Sequence, residues 1–184
     1  MTILITGGTG LLGQYLIKKL LQEKYSVYNI TRRSTQSDSD HYKEFVWSEG
    51  SDKFPLKALK EVTNYGVIHL AGEPVSSWPW TKKKKEKIYF SRVNRTQQLV
   101  SVLKKFPPQF FISASAVGIY GEQKDIKITE KSSIMDQNFF LQKVCFDWEA
   151  SALKANSFCR SVIFRLGVVL SYKKAFLHEQ YKWI

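Results

Sequence analysis

Three glycines, Gly7, Gly10 and Gly13, stand at intervals of three in the stretch TILITGGTGLLGQYL, residues 2–16. A short β-type apolar run precedes them and a helical pattern follows. The chemistry this spacing offers is the cradling of a pyrophosphate. Gly7 permits a tight turn out of the strand, Gly10 lets backbone approach the phosphates with no Cβ in the way, and Gly13 lets the helix pack close to the sheet. The helix start at Leu11, Leu12 and Gly13 then offers free N–H groups at the positive end of the helix dipole. The strand–turn–helix context favours a binding turn over a merely structural one.

The second chemical signal is Thr31-Arg32-Arg33, directly after the second β-type run. Dinucleotide-binding folds often carry an Asp or Glu there for the ribose 2′-hydroxyl. A guanidinium suits a 2′-phosphate in charge and in its paired donors, so NADP(H) is favoured over NAD(H), with two solvated arginines as the plain alternative. Other reactive side chains are less informative. Cys145 lies in the apolar stretch Val144-Cys145-Phe146 and reads as a buried, inert thiol. His69 reads as a packed strand end, and His41 and His178 have no evident partners. Nothing has metal-ligand spacing, and Cys145 and Cys159 form no disulfide framework. For Trp78, Pro79 and Trp80, stacking on a ligand and simple packing are both open.

The elements that must position these residues alternate. Strands are expected at 2–6, 26–30, 44–48, 66–70, 109–113 and 161–166. Helices are expected at 11–23, 56–63, 82–105 (stopped by Pro107-Pro108) and 139–156, with loops at 31–42 and 119–138. This βαβ spacing predicts an α/β fold with a doubly wound parallel sheet of order 3-2-1-4-5-6, covered on both faces. The 184 residues are 43% hydrophobic and 14% aromatic, enough for one cored domain. No signal peptide or long apolar run is present, which predicts a cytoplasmic protein with no membrane partner. The formal net charge is +12, with its densest block at Lys82–Lys85. A solvated helix face is favoured over a nucleic-acid patch, because no RNA-binding aromatic signature or zinc finger accompanies the lysines.

The segments TGGTGLLG (6–13), HLAGEP (69–74), SRVNRTQQLV (91–100), SASAVGIYG (113–121), ITE (128–130), FLQKVCFDWEASA (140–152) and FRLGVVLS (164–171) occur in this order. Together they resemble the extended short-chain dehydrogenase/reductase superfamily. The elements LAGEP, SASAVGIYG and VC-x-DWE narrow the resemblance to its atypical branch of NAD-dependent epimerase/dehydratase-like "epimerase family" proteins. The resemblance implies a Rossmann domain over residues 1–171 that binds NADP(H). It places Leu70, Ala71 and Gly72 along the cofactor after the fourth strand. It places Ser113 to Ser115 beside the nicotinamide, and Leu166 with Gly167 facing that region after the sixth strand.

The chain departs from the superfamily in two ways. Competent members use a Ser, a Tyr and a Lys, the last two as Tyr-x-x-x-Lys. Anchoring on Glu149 puts Leu141 and Cys145 at those positions, and a second register gives Phe139 and Lys143. No tyrosine occurs from Gly121 to Ser171, so both registers lack the hydroxyl. In the first register Lys143 cannot substitute, because two residues turn a helix by roughly 200°. The atypical branch shares this loss. Ser115 stays as a candidate polar group near the nicotinamide, and Tyr120 is a candidate proton donor whose alternative is a packed loop aromatic. The second departure is length: residues 172–184 form a short tail where the superfamily carries most of its substrate-binding portion. A shortened product and a compact cofactor-binding domain both fit this pattern.

Three functions follow. The chain is an NADP(H)-dependent oxidoreductase or epimerase on a nucleotide-sugar or carbonyl substrate, or it is a non-catalytic NADP(H)-binding sensor or docking module. In the second case an apolar face left by the missing portion suits self-association as a homo-oligomer. Nucleic-acid binding through the positive charge is the weakest of the three.

Overall fold

The computed structural model describes residues 1–34, 38–48, 51, 53–76, 79–134 and 139–169. Six strands form one sheet in the order β3-β2-β1-β4-β5-β6. They are β1 (Thr2–Thr6), β2 (Ser26–Thr31), β3 (Tyr42–Val46), β4 (Tyr65–His69), β5 (Phe110–Ala116) and β6 (Arg160–Leu166). All pairings are parallel, with Ile3 opposite Val27 and Gly66, and Ser115 opposite Arg165. The expected fold and strand order are therefore present.

The central strands are apolar throughout because both faces of the sheet are covered. Alternate residues of β1 feed different cores. Ile3 and Ile5 pack with Val27 against Leu16, Ile17, Leu20 and Leu21 of α1 (Leu11–Gln22). Leu4 joins Val67, Leu99, Leu103, Phe111 and Ala152 on the other face, under α4 (Arg95–Leu103) and α5 (Phe140–Leu153). The sheet's carboxyl-terminal edge between these layers is where a doubly wound fold opens.

Three local differences from the sequence expectation have physical causes. The helix expected at 56–63 is a single turn, α2 (Lys57–Lys60), held by buried Ala58 and Leu59. The β-branched Val62 and Thr63 then lead directly into β4. Strand β3 begins two residues early because Tyr42 is buried against the α1 layer. The long helix at 82–105 is real in outline but not uniform. Thr81 caps α3 (Lys82–Tyr89), a π-helical turn covers Phe90–Asn94, and α4 follows. Such turns insert a residue and re-aim side chains, often at functional sites. Lys82, Lys83, Lys85 and Lys87 are exposed on α3, as a solvated face requires. Among the described residues no helix is long and apolar enough to cross a membrane, and no group of three or more potential ligands could hold a metal.

Candidate functional site: a cleft over the glycine turn

Gly7 leaves β1 with φ +78°, a backbone conformation that L side chains rarely adopt. A Cβ there would also lie 2.7 Å from the backbone nitrogen of Ala71. Gly13 is buried in the first turns of α1, and a Cβ on it would collide with the backbone of Gly7 and Gly8. Gly10 differs: a Cβ would meet only the Gly7 carbonyl, at 3.2 Å. Its N–H closes the turn onto that carbonyl at 3.0 Å. Gly10 is also the N-cap of α1, with no side chain accepting the first-turn N–H groups. Gly7 and Gly13 thus fold the turn, and Gly10 keeps its outer side clear.

Above this turn lies a cleft of about 310 Å³. Its floor is Thr6, Gly7, Thr9 and Gly10, and one wall is Ile30, Thr31 and Arg32 from the end of β2. The opposite wall is Leu70, Ala71, Gly72, Glu73 and Pro74 after β4, and Trp47, Phe90, Ser91 and Arg95 close the far end. Arg95 stacks over Trp47 with its guanidinium 4.3 Å from the ring centre, and donates to the carbonyls of Ser48 and Ser51 at 2.6 and 2.7 Å. Tryptophan, phenylalanine and a stacked guanidinium are surfaces on which a purine can lie. The donor set fits a dinucleotide: bare backbone for phosphates, an arginine at the end of β2, and a flat aromatic end.

A one-way chain of hydrogen bonds holds the wall after β4. The Ala71 N–H donates to Thr6 Oγ1 at 3.3 Å, and Thr6 Oγ1 lies 2.6 Å from His69 Nδ1. His69 Nε2 lies 2.9 Å from Thr96 Oγ1, which donates to the Arg92 carbonyl in the π turn. The Thr96 proton is committed to that carbonyl, so Nε2 carries the imidazole proton and Nδ1 accepts from Thr6. Burial pushes the His69 pKa down to about 4, which keeps this neutral tautomer at pH 7. The chain ties β1, the turn after β4 and the π turn into one frame.

At the other end of the sheet edge the polar groups satisfy one another. Ser115 Oγ donates to Glu149 Oε1 at 2.6 Å. Arg165 grips the same carboxylate with two donors, Nε to Oε1 at 2.9 Å and Nη2 to Oε2 at 2.8 Å. Arg165 Nη1 donates to the Tyr120 hydroxyl at 2.6 Å. Glu149 is 6% exposed and Tyr120 4%. The hydrogen bonds to Glu149 raise the Arg165 guanidinium above its ordinary range. Cys145 packs beside Ile119 and Tyr120, and burial pushes its thiol up, outweighing the opposite pull of Arg92. Lys143 points away to Asp147, at 3.2 Å.

The residues expected from sequence therefore divide. Gly7, Gly10, Thr31, Arg32, Leu70, Ala71 and Gly72 share the cleft. Leu11 and Leu12 begin α1 beside it, Gly13 is buried below it, and Arg33 is exposed at its edge. Ser113 is fully buried in β5, its hydroxyl bonded to the Ala114 carbonyl at 3.1 Å. Leu166 packs with Leu70, Ala114 and Trp148 in an apolar wall. Ser115 and Tyr120 lie in the Glu149–Arg165 cluster, away from the cleft lining. Trp47 and Phe90 escaped the sequence reading, and Ser91 and Arg95 entered it only within the segment SRVNRTQQLV, with no role at the site. A lone tryptophan ending β3 was the only signal for Trp47, and the π turn that aims Phe90 and Ser91 has no sequence signature. Trp78, His178 and the tail from 172 lie outside the described residues.

A sequence model of the NAD dependent epimerase/dehydratase family matches residues 3–182. The chain is 34% identical over 179 residues to the epimerase family protein YfhF of Bacillus subtilis, covering 95% of this chain and 57% of that one. The human epimerase family protein SDR39U1, solved with NADPH, superimposes with a TM-score of 0.77 at 22% identity, over 99% of this chain and 59% of that chain. The UDP-glucuronic acid 4-epimerase of Bacillus cereus, solved with NAD, superimposes with a TM-score of 0.76 at 22% identity, over 95% and 59%. The chain spans about half the length of the curated relatives it matches.

Proposed function

The chain belongs to the NAD dependent epimerase/dehydratase family, and from that premise we propose that it binds NADP(H) in the cleft over the glycine turn. The cleft itself carries this reading: bare backbone at Gly7 and Gly10 in its floor, a helix start at Gly10 with no side-chain cap, and Arg32 on the wall at the end of β2. The pyrophosphate rests over Gly7 and Gly10, against the N–H groups of Leu11, Leu12 and Gly13. Arg32 and Arg33 meet the 2′-phosphate, and Trp47 and Arg95 bound the adenine end. Leu70, Ala71 and Gly72 run along the cofactor toward Ser113 and Leu166. That SDR39U1 was solved with NADPH supports this choice; the Bacillus cereus epimerase was solved with NAD, and the arginines at 32 and 33 are what favours NADP(H) in this reading.

When bound, the nicotinamide supplies a hydride donor or acceptor. The reaction class is then oxidoreduction or epimerisation of a nucleotide-sugar or other carbonyl substrate. The chain's own contribution is to orient the cofactor through the Thr6–His69–Thr96 frame and to keep water from the Leu70–Trp148–Leu166 wall. A second reading, binding without turnover, is favoured by one observation: Ser115 already donates its hydroxyl proton to Glu149, and the Tyr120 oxygen is taken by Arg165.

Calorimetric titration with NADPH and NADH tests the first reading. Tighter binding of NADPH, reduced to the NADH level by Arg32→Ala, is the expected result. No binding of either nucleotide overturns it. Steady oxidation of NADPH with a carbonyl substrate, or its absence across a substrate screen, then separates enzyme from binding module.

A further inference from the structure

Arg92 sits in the π turn, beside Gly72 and Trp148. One face of its guanidinium lies over Gly72, where a Cβ would come 3.1 Å from Cζ and 3.2 Å from Nη2. Its Cζ also lies 5.4 Å from the centre of the Trp148 ring. Nη1 donates to the carbonyls of Glu73 at 2.9 Å and Ile88 at 3.5 Å. Among the described residues Nε and Nη2 have no acceptor, and no carboxylate pairs with the group. Glu73, whose charge acts on the group, is committed to Lys84 at 2.7 Å. Arg92 as a residue is half-buried, not sealed in the core.

A cation held this way is unusual. Desolvating a guanidinium without a carboxylate is costly, and burial lowers its affinity for its own proton. The surroundings nevertheless fix it firmly: Thr96 bonds the Arg92 carbonyl, and His69 anchors Thr96 to β4. The free edge, with donors from two nitrogens, matches a carboxylate or phosphate in geometry as well as charge. It also adjoins the apolar wall of Leu70, Trp148 and Leu166.

We propose that Arg92 is the receptor for an anionic group, a carboxylate or a phosphate, on the second ligand that meets the cofactor. This deepens the dinucleotide reading and rests on it for the identity of the neighbouring ligand. The reacting part of the substrate is then itself acidic, carrying a carboxylate or a phosphate within reach of the nicotinamide. Gly72 is then required as the platform on which the guanidinium lies.

The test titrates inorganic phosphate and, separately, malonate into the protein at constant ionic strength, with and without saturating NADP+. Intrinsic tryptophan emission is the readout, because the guanidinium abuts Trp148. Constant ionic strength removes the general screening expected for a chain of charge +12. The expected result is saturation in the millimolar range with NADP+ bound, weakened roughly tenfold or more by Arg92→Met and less by Arg92→Lys, which keeps the charge but not the fork. The phosphate and malonate arms distinguish the two anion classes. Saturation that survives Arg92→Met overturns the proposal, as does the absence of saturation. Competition between the anions and NADP+ that Arg92→Met abolishes also overturns it, because Arg92 then serves the cofactor's own phosphates. If Arg92→Met does not fold, Arg92→Gln and Arg92→Lys give the same comparison. Failure of the protein to bind NADP+ breaks the dinucleotide reading separately, and the titration without cofactor still reports on Arg92.

Discussion

The two ends of the sheet edge handle their polar groups in opposite ways. Over β1, β2 and β4 the chain withholds side chains: Gly7 and Gly10 expose backbone, α1 starts without a cap, and the Arg92 guanidinium keeps a free edge. Over β5 and β6 it does the reverse. Ser115, Glu149, Arg165 and Tyr120 form a closed set in which each charge and hydroxyl has a partner. Unmet donors in a folded protein cost free energy unless a ligand or water meets them, and met ones rigidify the elements they join. The first end is built to be completed from outside, and the second to hold α5 against β5 and β6. The comparison predicts that substitutions at the closed end change stability with little effect on cofactor binding, and that those at the open end do the opposite.

The largest expected effect is at Glu149. Glu149→Leu leaves Arg165 and Ser115 without their shared acceptor, and breaking a buried pair typically costs about 3 to 5 kcal/mol. The low end applies here because Arg165 reaches solvent, its side chain being 22% exposed. Urea unfolding should show the loss, while NADPH affinity of the folded fraction stays near wild type. A selective loss of affinity without loss of stability would break the comparison.

The frame beneath the open end should respond to acid. The folded-state pKa of His69 is about 4, against an ordinary 6.5, because burial disfavours the cation. Between those values the unfolded chain binds the extra proton, so this contribution is complete above pH 6.5 and is lost as pH falls toward 4. The shift corresponds to about 3 kcal/mol. Unfolding free energies measured from pH 7 to 4 should fall by this order, and His69→Asn, which has no titrating ring, should flatten that part of the profile. An unchanged profile would show that the imidazole is not held neutral as the chain Thr6–His69–Thr96 requires.

The open end was more legible in the sequence than the closed one, for reasons of distance along the chain. Gly7, Gly10 and Gly13 fall within one turn, and their task depends on local backbone that type and spacing reveal. The alternation of elements was similarly local, which is why the 3-2-1-4-5-6 order could be read. Arg165 and Glu149 lie on different elements and meet only through the packing of α5 on β6. No periodicity marks such a pair, and in the sequence Glu149 stands out only as the acid of VC-x-DWE. Trp47 and Arg95 come together from β3 and α4 across the cleft, and the π turn that positions Phe90, Ser91 and Arg92 leaves the apolar pattern of the helix almost unchanged.

Gly10 sharpens the comparison from the open side. A Cβ there meets only one carbonyl, at 3.2 Å, so Gly10→Ala should still fold, with a loss of about 0.5 to 1 kcal/mol because glycine outranks alanine at an N-cap. The methyl group would nevertheless stand where the pyrophosphate approaches, and NADPH affinity should drop about tenfold or more, roughly 1.4 kcal/mol. Calorimetry alongside thermal melting separates the two numbers. Equal loss of both would mean that the outer side of the turn is structural after all.

The smallest effect is the most discriminating. Tyr120→Phe removes one acceptor from Arg165, a charge-assisted bond of a kind worth about 1.5 to 3 kcal/mol, and much less here because the Arg165 donor can turn to the Glu130 carbonyl, already 3.4 Å away. A role confined to the closed cluster leaves NADPH binding intact and any carbonyl-dependent oxidation of NADPH unchanged. If Tyr120 instead donates a proton to substrate, its lone pair held by Arg165 and its own hydrogen free, Tyr120→Phe abolishes that oxidation while stability barely moves. The tyrosine then belongs to both ends at once, and the Glu149–Arg165 pair positions the donor that the helix lacks at Leu141.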